Sequence, residues 1–365
     1  MRSNGTPRLS AAVAAAVVLA VLAPTGAAAD PTPTPGAPVC QIRDDRLTEI
    51  SGLVATDDGY VVVNDGADDE ARRRIFFLDA DCAVTRALRY PSRPRDTEDL
   101  AVGADGTIWV ADVGDNDRSR QTVAVWKLAP GAARPVLYRM AYPDRPHDAE
   151  AMLVTGDGRP VIVSKYSGVL YAPSTALRAG ATVPLAQVGQ VRLPASTTSN
   201  PFSVLGRTAV TGAATAPGGD RVVLRTYADA FEFDVTGGDV IAALTSGTPR
   251  VTPLPDEPQG ESITYSRDGR SLLTVSETAD QPAGTRPNIL RYPVAAPSPV
   301  APPPAATAAP PTTSAPGGRV AGDRADRADR GGTPMVAAGA VGLGLLVAGL
   351  LVLVRWRRSR PHRPR

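Results

Sequence analysis

The stretch EDLAVGADGTIWV, residues 98–110, decides the architecture of this chain. A polar residue and an apolar run are followed by an Asp-Gly turn and a second apolar run, which is the pattern of a tight β-hairpin. Four further copies begin at Ser51, Glu150, Thr211 and Glu261, at intervals of 47 to 61 residues. A third β-type run follows in each copy, and in most copies a fourth that ends in proline. This period, with four strands in a repeat, is typical of one blade of a β-propeller.

We therefore predict an all-β fold, in which residues 38–293 form a β-propeller of five four-stranded blades. Six blades are the alternative, because the third repeat is the longest and its residues 195–204 carry no readable strand pattern. The fifth repeat lacks a fourth strand, and the apolar run at residues 39–43 supplies one that closes the ring. Closure removes the exposed strand edges of an open array. No helix is predicted in this region, apart from a short possibility at residues 176–179.

The N-terminus carries a targeting pattern. Arg2 and Arg8 precede an apolar run, and three alanines then offer a cleavage site of small residues. Because the apolar run is too short to span a bilayer, residues 1–29 are predicted to be a secretory signal peptide.

The C-terminus carries an anchoring pattern. Residues 294–333 are rich in Pro, Ala and Thr, which predicts an extended stalk. Residues 334–354 are apolar and long enough to form a transmembrane helix, and six arginines follow in the tail, residues 355–365. The positive-inside rule then predicts a single-pass protein of the plasma membrane, with its propeller outside the cell and a cytoplasmic C-terminus.

Charge and cysteine content restrict the partners and the redox state of the propeller. The formal net charge is +2, and the signal peptide and the tail supply much of the positive charge. The exported domain has no basic excess, so nucleic acid is not expected as a partner. Cys40 and Cys82 are the two cysteines, and outside the cell a disulfide between them is expected. Two free buried thiols are the alternative.

The predicted propeller brings acidic residues of different repeats to one mouth of its channel. The first strand of each blade lines the channel, so the starts of these strands and the ends of the second strands converge there. The acidic residues at these positions are Asp65, Glu98, Asp112, Glu150, Glu261 and Glu277. Oxygen ligands with almost no imidazole or thiolate favour a hard cation, so we predict a Ca²⁺ site.

Two other interpretations of these acids stay open. Glu98 and Glu150 follow Asp96 and Asp148 by two residues, and such acids often accept hydrogen bonds from backbone N–H groups and brace a loop. If the protein is an enzyme, Glu98 and Glu150 are the candidate catalytic residues, with a cation activating water. No Gly-x-Ser-x-Gly elbow is present, and His147 is the one histidine of the propeller, so a Ser-His-Asp triad finds little support.

Several phrases of the chain resemble those of a group of bacterial exported propellers: EISGL at 49–53, NDG at 64–66, TEDLA at 97–101, ADVGDN at 111–116 and YPDRPHDAEA at 142–151. This group is similar to the phytase-like esterase and gluconolactonase-type propellers. The resemblance implies that acidic channel residues bind Ca²⁺, which points to Glu98, Glu150, Asp112 and Glu261. The run of Lys and Arg that grips phosphate in a phytase is not evident.

These observations give three functional hypotheses. The first is a cell-surface binding or sensing module, whose mouth holds a cation and a small ligand or cell-wall polymer. The second is a Ca²⁺-dependent secreted hydrolase of the lactonase, esterase or phytase-like type. The third is a scaffold for extracellular protein partners.

Overall fold

The computed structural model describes residues 34–294. Twenty strands and two short helices cover this part of the chain. The first ten strands are β1 (Ala37–Gln41), β2 (Ile50–Thr56), β3 (Gly59–Asn64), β4 (Arg74–Leu78), β5 (Val84–Arg89), β6 (Asp99–Val102), β7 (Ile108–Asp112), β8 (Val123–Leu128), β9 (Val136–Ala141) and β10 (Ala149–Val154). The remaining elements are β11 (Pro160–Ser164), β12 (Val169–Pro173), β13 (Thr182–Gln190), α1 (Ser203–Gly206), β14 (Val210–Thr215), β15 (Arg221–Thr226), β16 (Asp229–Asp234), α2 (Val240–Ser246), β17 (Arg250–Pro253), β18 (Gly260–Tyr265), β19 (Ser271–Ser276) and β20 (Asn288–Pro293).

The strands pair mainly with their neighbours in the chain. Sheet 1 contains β2 to β5, sheet 4 contains β14 to β17, and sheet 5 contains β18, β19, β20 and β1. Sheet 2 (β6 to β9) and sheet 3 (β10 to β13) are the halves of one eight-stranded sheet, because β9 and β13 pair in parallel from Arg139↔Thr182 to Ala141↔Pro184. This pairing joins two outer edges that the repeat pattern predicts to be separate.

The five innermost strands form a ring. β2, β6, β10, β14 and β18 contact one another in that order, and β18 contacts β2. Five buried apolar clusters fill the spaces between neighbouring sheets, so the inner strands are apolar on both faces. The all-β propeller architecture predicted from the repeats is therefore confirmed for the residues described.

The turn between the first two strands of each sheet explains the glycine of the repeat. The turn glycine has a positive φ in every copy, from 66° at Gly269 to 142° at Gly59. Residues other than glycine rarely adopt this conformation, so the Asp-Gly or Gly-Gly pair sets the hairpin register.

The N-terminal strand closes the ring as predicted. β1 pairs antiparallel with β20, with Gln41 opposite Asn288. The predicted disulfide is also confirmed: Cys40 of β1 is bonded to Cys82, which lies between β4 and β5, with the Cα atoms 5.8 Å apart. The bond therefore links sheet 5 to sheet 1 across the point where the ring closes.

One local expectation differs from the structure, because residues 176–179 form no helix. In the stretch without a readable strand pattern, residues 195–202 form a loop that leads into α1. A helix lies instead at α2, where the Asp239 carboxylate accepts a hydrogen bond of 2.9 Å from the Ala242 N–H. This side-chain cap at the first turn is the local reason for the helix.

Among residues 34–294, no helix combines the length and the apolar character needed to cross a bilayer. The predicted signal peptide, transmembrane helix and tail, and nearly all of the stalk, lie outside the described residues.

Candidate functional site

Three carboxylates from two neighbouring sheets meet at the mouth of the ring. Asp65 follows β3 of sheet 1, whereas Asp96 and Glu98 precede β6 of sheet 2. One oxygen of each lies within 4.8 Å of an oxygen of the other two. Asp65 and Glu98 belong to the predicted ligand set, and Asp96 was predicted only as a loop brace.

Backbone contacts hold the two loops that carry this trio, which we call the carboxylate trio. The Ser51 hydroxyl donates to the Thr97 carbonyl at 2.7 Å, and the Thr97 hydroxyl donates to the Asn64 carbonyl at 2.5 Å. The Asp65 N–H donates to the Glu49 carbonyl at 2.8 Å. These hydrogen bonds to backbone carbonyls hold together the two loops that carry the carboxylates.

Two glycines leave the space that the trio occupies. A Cβ atom at Gly114 would lie 1.9 Å from Glu98 Oε1, and one at Gly66 would lie 2.3 Å from Asp96 Oδ1. Any larger side chain at these positions would displace the acids, so the close approach depends on glycine.

Glu98 is a buried acid that belongs to no ion pair among the described residues, and the charge of Lys165 acts on it less than the charges of the acids around it. Its exposed fraction is 4%, and no group within residues 34–294 donates a hydrogen bond to its side chain. Burial, and then the charges of Asp65, Glu150 and Asp96, raise the pKa of Glu98 well above its usual value. The pKa of Asp96 is raised to about 8, first by burial and then by the charge of Asp65 and a hydrogen bond with it. Glu98 and Asp96 therefore hold their protons more strongly than ordinary carboxyl groups, and a divalent cation bound there would have to displace those protons.

The donor set of the trio fits a hard cation. All three ligands are carboxylate oxygens, which Ca²⁺ prefers, and no thiol or imidazole belongs to the cluster. Three side chains also leave coordination positions for water or for the oxygens of a ligand.

Asp112 is engaged elsewhere. Its carboxylate accepts hydrogen bonds from the Asp96 N–H at 3.1 Å, from Arg120 Nη2 at 2.9 Å and from Trp126 Nε1 at 3.2 Å. The Arg95 N–H also donates to it. Its lone pairs are therefore used in holding the loop below Asp96, as in the bracing interpretation.

The other three predicted acids surround the trio and are partly neutralised. Lys165 Nζ forms a buried ion pair with Glu150 Oε1, and the Tyr227 hydroxyl donates to Glu261 Oε1 at 2.9 Å. Gln259 Nε2 donates to Glu277 at 2.5 Å and to Glu261 at 3.3 Å. Burial is the main reason that the pKa values of these three glutamates are raised. Burial lowers the pKa of Lys165, but the charge of Glu150 and its other acidic neighbours raise it overall, so this lysine stays charged.

The His147 side chain forms no hydrogen bond with a serine among residues 34–294, as a Ser-His-Asp triad would require. His147 Nε2 contacts Asp144 Oδ1 at 3.0 Å and the Tyr171 hydroxyl at 2.9 Å. Its ring packs against Tyr142, with the ring centres 4.9 Å apart. These contacts place His147 in an aromatic cluster between strands.

Asp99 is an important residue that the sequence analysis missed. Its Oδ2 accepts hydrogen bonds from the Met152 N–H at 2.8 Å and from the Ala213 N–H at 3.1 Å, while Oδ1 accepts from the Leu100 N–H. One fully buried carboxylate thus connects the inner strands of sheets 2, 3 and 4. The sequence did contain a signal for this role, because Asp99 is the second residue of its repeat and the other four repeats have Gly, Ala or Ser at that position.

No protein-family model and no curated protein matches this sequence. Several solved structures are similar. A gluconolactonase from Xanthomonas campestris is 16% identical, with 67% of this chain and 72% of that chain covered, at a TM-score of 0.38. A luciferin-regenerating enzyme is 11% identical, with 68% and 78% covered, at a TM-score of 0.40. The WD40 repeats of RRP9 are 10% identical, with 71% and 99% covered, at a TM-score of 0.38. Gluconolactonase-type propellers are thus among the similar structures, but similarity at this level does not assign an activity to this chain.

Proposed function

We propose that this protein is a propeller that binds a divalent cation, Ca²⁺ before Mg²⁺, at the mouth of its channel, and that the cation holds a small extracellular ligand. The observation that carries the proposal is Glu98, a buried carboxylate without a hydrogen-bond donor, directed at Asp65 and Asp96. Like charges this close repel one another, and burial removes the water that would screen them. A divalent cation offsets both costs, and its remaining coordination positions suit the hydroxyl or carboxylate oxygens of a ligand or a cell-wall polymer.

The architecture proposed with this site is a propeller of five blades. Support comes from the five apolar clusters, each of which lies between two neighbouring sheets, and from β1, which completes sheet 5. In this arrangement sheets 2 and 3 are separate blades whose outer strands pair.

The place proposed for the propeller is the outer side of the plasma membrane, on the Pro-rich stalk. The Cys40–Cys82 disulfide supports an oxidising compartment. Protease treatment of intact cells tests this, because an extracellular propeller would be released from the surface while the cytoplasmic tail stays with the membrane.

Thermal unfolding of the full-length protein tests the cation site. We expect a saturable rise in melting temperature with Ca²⁺ that EDTA reverses, because a ligand that binds only the native state stabilises it. Glu98→Gln removes one charge from the trio and abolishes the rise, whereas Glu70→Gln, at an exposed glutamate in the connection between β3 and β4, leaves it unchanged. No rise with any divalent cation would leave the acids as loop braces and favour the scaffold hypothesis.

A cation-dependent hydrolase is the second candidate, and the residues around the trio favour it. Glu150 and Glu261 lie in the same charged cluster as Glu98, and burial raises the pKa of each and so favours its protonated form. A general acid needs this property, and a cation in the trio would activate water.

A panel of esters and lactones separates the two candidates. Glu150→Gln leaves the trio in place, so a hydrolase variant would still show the Ca²⁺-dependent rise in melting temperature while turnover falls by two orders of magnitude or more, on the order of the loss of a general acid. Ligand binding without turnover by the unaltered protein would leave the binding module as the function.

A further inference from the structure

A cavity lies near the acidic mouth. Its volume is about 390 Å³, and it lies between the residues that follow β11 and the loop that carries α1. The Val210 N–H donates to the Lys165 carbonyl at 2.8 Å, and Tyr166, the next residue, lines the cavity. A cavity of this size is in the range of about 300–1,000 Å³ that small-molecule sites occupy.

The wall of this cavity carries a guanidinium without a counter-ion. Arg207 Nε donates to the Thr198 carbonyl at 3.2 Å, and its Nη2 contacts the Thr197 carbonyl at 3.4 Å. Arg207 belongs to no ion pair among the described residues. The carbonyls orient the guanidinium but do not neutralise it, so the cavity wall has a fixed positive charge.

The rest of the lining is mostly apolar. Leu193, Pro194 and Val204 line the cavity together with Tyr166. Val204 is 69% exposed and Tyr166 is 50% exposed, and Phe202 and Leu205 of the same loop are exposed as well. Seven large apolar side chains are exposed in residues 34–294, and four of them are in this one place. Such a concentration marks a binding surface more often than chance exposure does.

We propose that this cavity binds a small organic carboxylate with an alkyl or aryl body. The carboxylate pairs with Arg207, whose planar guanidinium suits two parallel hydrogen bonds, and the body packs on Tyr166, Leu193 and Val204. The site is distinct from the carboxylate trio, because its charge has the opposite sign and no residue is shared. A negative result at one site therefore does not count against the other.

Calorimetric titration of the full-length protein with hexanoate tests the proposal, with hexanamide as the neutral analogue. We expect saturable binding of hexanoate, at least tenfold weaker binding of hexanamide, and no change on adding EDTA. Hexanamide that binds as tightly as hexanoate, or hexanoate without saturable binding at millimolar concentration, would overturn the proposal.

Variants locate the binding. Arg207→Gln is expected to lower the affinity for hexanoate at least tenfold and to remove the preference for hexanoate over hexanamide. Arg207→Lys is expected to retain part of this preference. Val204→Asp puts a negative charge at the exposed rim, where folding is not at risk, and is also expected to lower the affinity for hexanoate at least tenfold. Arg134→Gln, at an exposed arginine outside the cavity, is the matched control. Hexanoate binding that survives in Arg207→Gln and Val204→Asp, or that is lost in Glu98→Gln, would contradict the assignment.

Discussion

At the scale of single residues, Glu98 and its neighbours show how a propeller concentrates charge. Glu98 lies close to Asp96 of its own loop and to Asp65 of the neighbouring loop, because the hydroxyls of Ser51 and Thr97 hold the two loops together. Burial, and then that proximity, raise the pKa values of Glu98 and Asp96, and these raised values give the site a measurable dependence on pH.

Cation affinity is expected to rise with pH up to about 8, the raised pKa of Asp96. Below that pH a proton must leave Asp96 before the cation binds, so the apparent affinity falls about tenfold for each pH unit and each proton displaced. Ca²⁺ titrations followed by calorimetry from pH 5 to pH 9 measure this slope. A constant affinity over this range would show that Asp96 is not a ligand.

Gly114→Ala is expected to lower the affinity for Ca²⁺ at least tenfold. The new methyl group would lie 1.9 Å from Glu98 Oε1, so the carboxylate must move out of the trio. Gly156→Ala is the control, because its new methyl group meets no atom within 4 Å. Equal Ca²⁺ affinity of the two variants would remove Glu98 from the ligand set.

At the scale of elements, the ring depends on a few contacts between strands that are distant in sequence. β1 enters sheet 5 from the start of the chain, and the disulfide ties it to sheet 1 over a sequence separation of 42 residues. Near the axis, Asp99 connects three inner strands through backbone N–H groups. Both contacts are expected to matter for stability more than for binding.

Removal of the disulfide is expected to lower the free energy of unfolding by about 2–4 kcal/mol, because the open loop gains entropy in the unfolded chain. Equilibrium urea unfolding of the Cys40→Ser, Cys82→Ser double variant, compared with the oxidised protein, measures the difference. An unchanged unfolding midpoint would mean that β1 is held by its pairing with β20 alone.

Asp99→Ala is expected to be more damaging than Asp99→Asn. Alanine leaves the N–H groups of Leu100, Met152 and Ala213 without their acceptor, and each buried unsatisfied group costs about 1–3 kcal/mol. Asparagine keeps one oxygen acceptor. Thermal unfolding of both variants checks the order, and equal melting temperatures would show that the three N–H groups find other partners.

At the scale of the whole molecule, stability and cation binding are linked by pH. The folded-state pKa of Asp96 lies above its unfolded value, so its contribution to stability is present at low pH and is lost as the pH rises through about 8. The melting temperature of EDTA-treated protein is therefore expected to fall by several degrees between pH 5 and pH 8.5, and saturating Ca²⁺ to reverse much of the loss. Glu98→Gln removes one of the repelling charges, so the melting temperature of this variant is expected to fall less over the same pH range. A melting temperature that is independent of pH in EDTA would contradict the repulsion at the mouth.

The sequence alone determined the features that depend on period and on covalent chemistry. The spacing of the Asp-Gly turns and apolar runs predicted the four-stranded sheets, and the apolar run at residues 39–43 predicted the closing strand. The cysteine count predicted the disulfide. Equivalent positions of the repeat also predicted that Asp65, Glu98, Glu150, Glu261 and Glu277 lie in one charged cluster. In the structure the charges of Asp65, Glu150 and Glu261 add to burial in raising the pKa values of their neighbours in this set.

Only the tertiary structure decided which of these acids form the carboxylate trio and which are bound by other residues. Asp96 joins Asp65 and Glu98, Asp112 is used by Arg120 and Trp126, and Lys165 pairs with Glu150. The parallel pairing of β9 with β13 and the role of Asp99 also depend on strands of different repeats. The physical reason is that a repeat reports which way a side chain faces, whereas the distance between two side chains of different repeats is set by how the sheets pack around the ring.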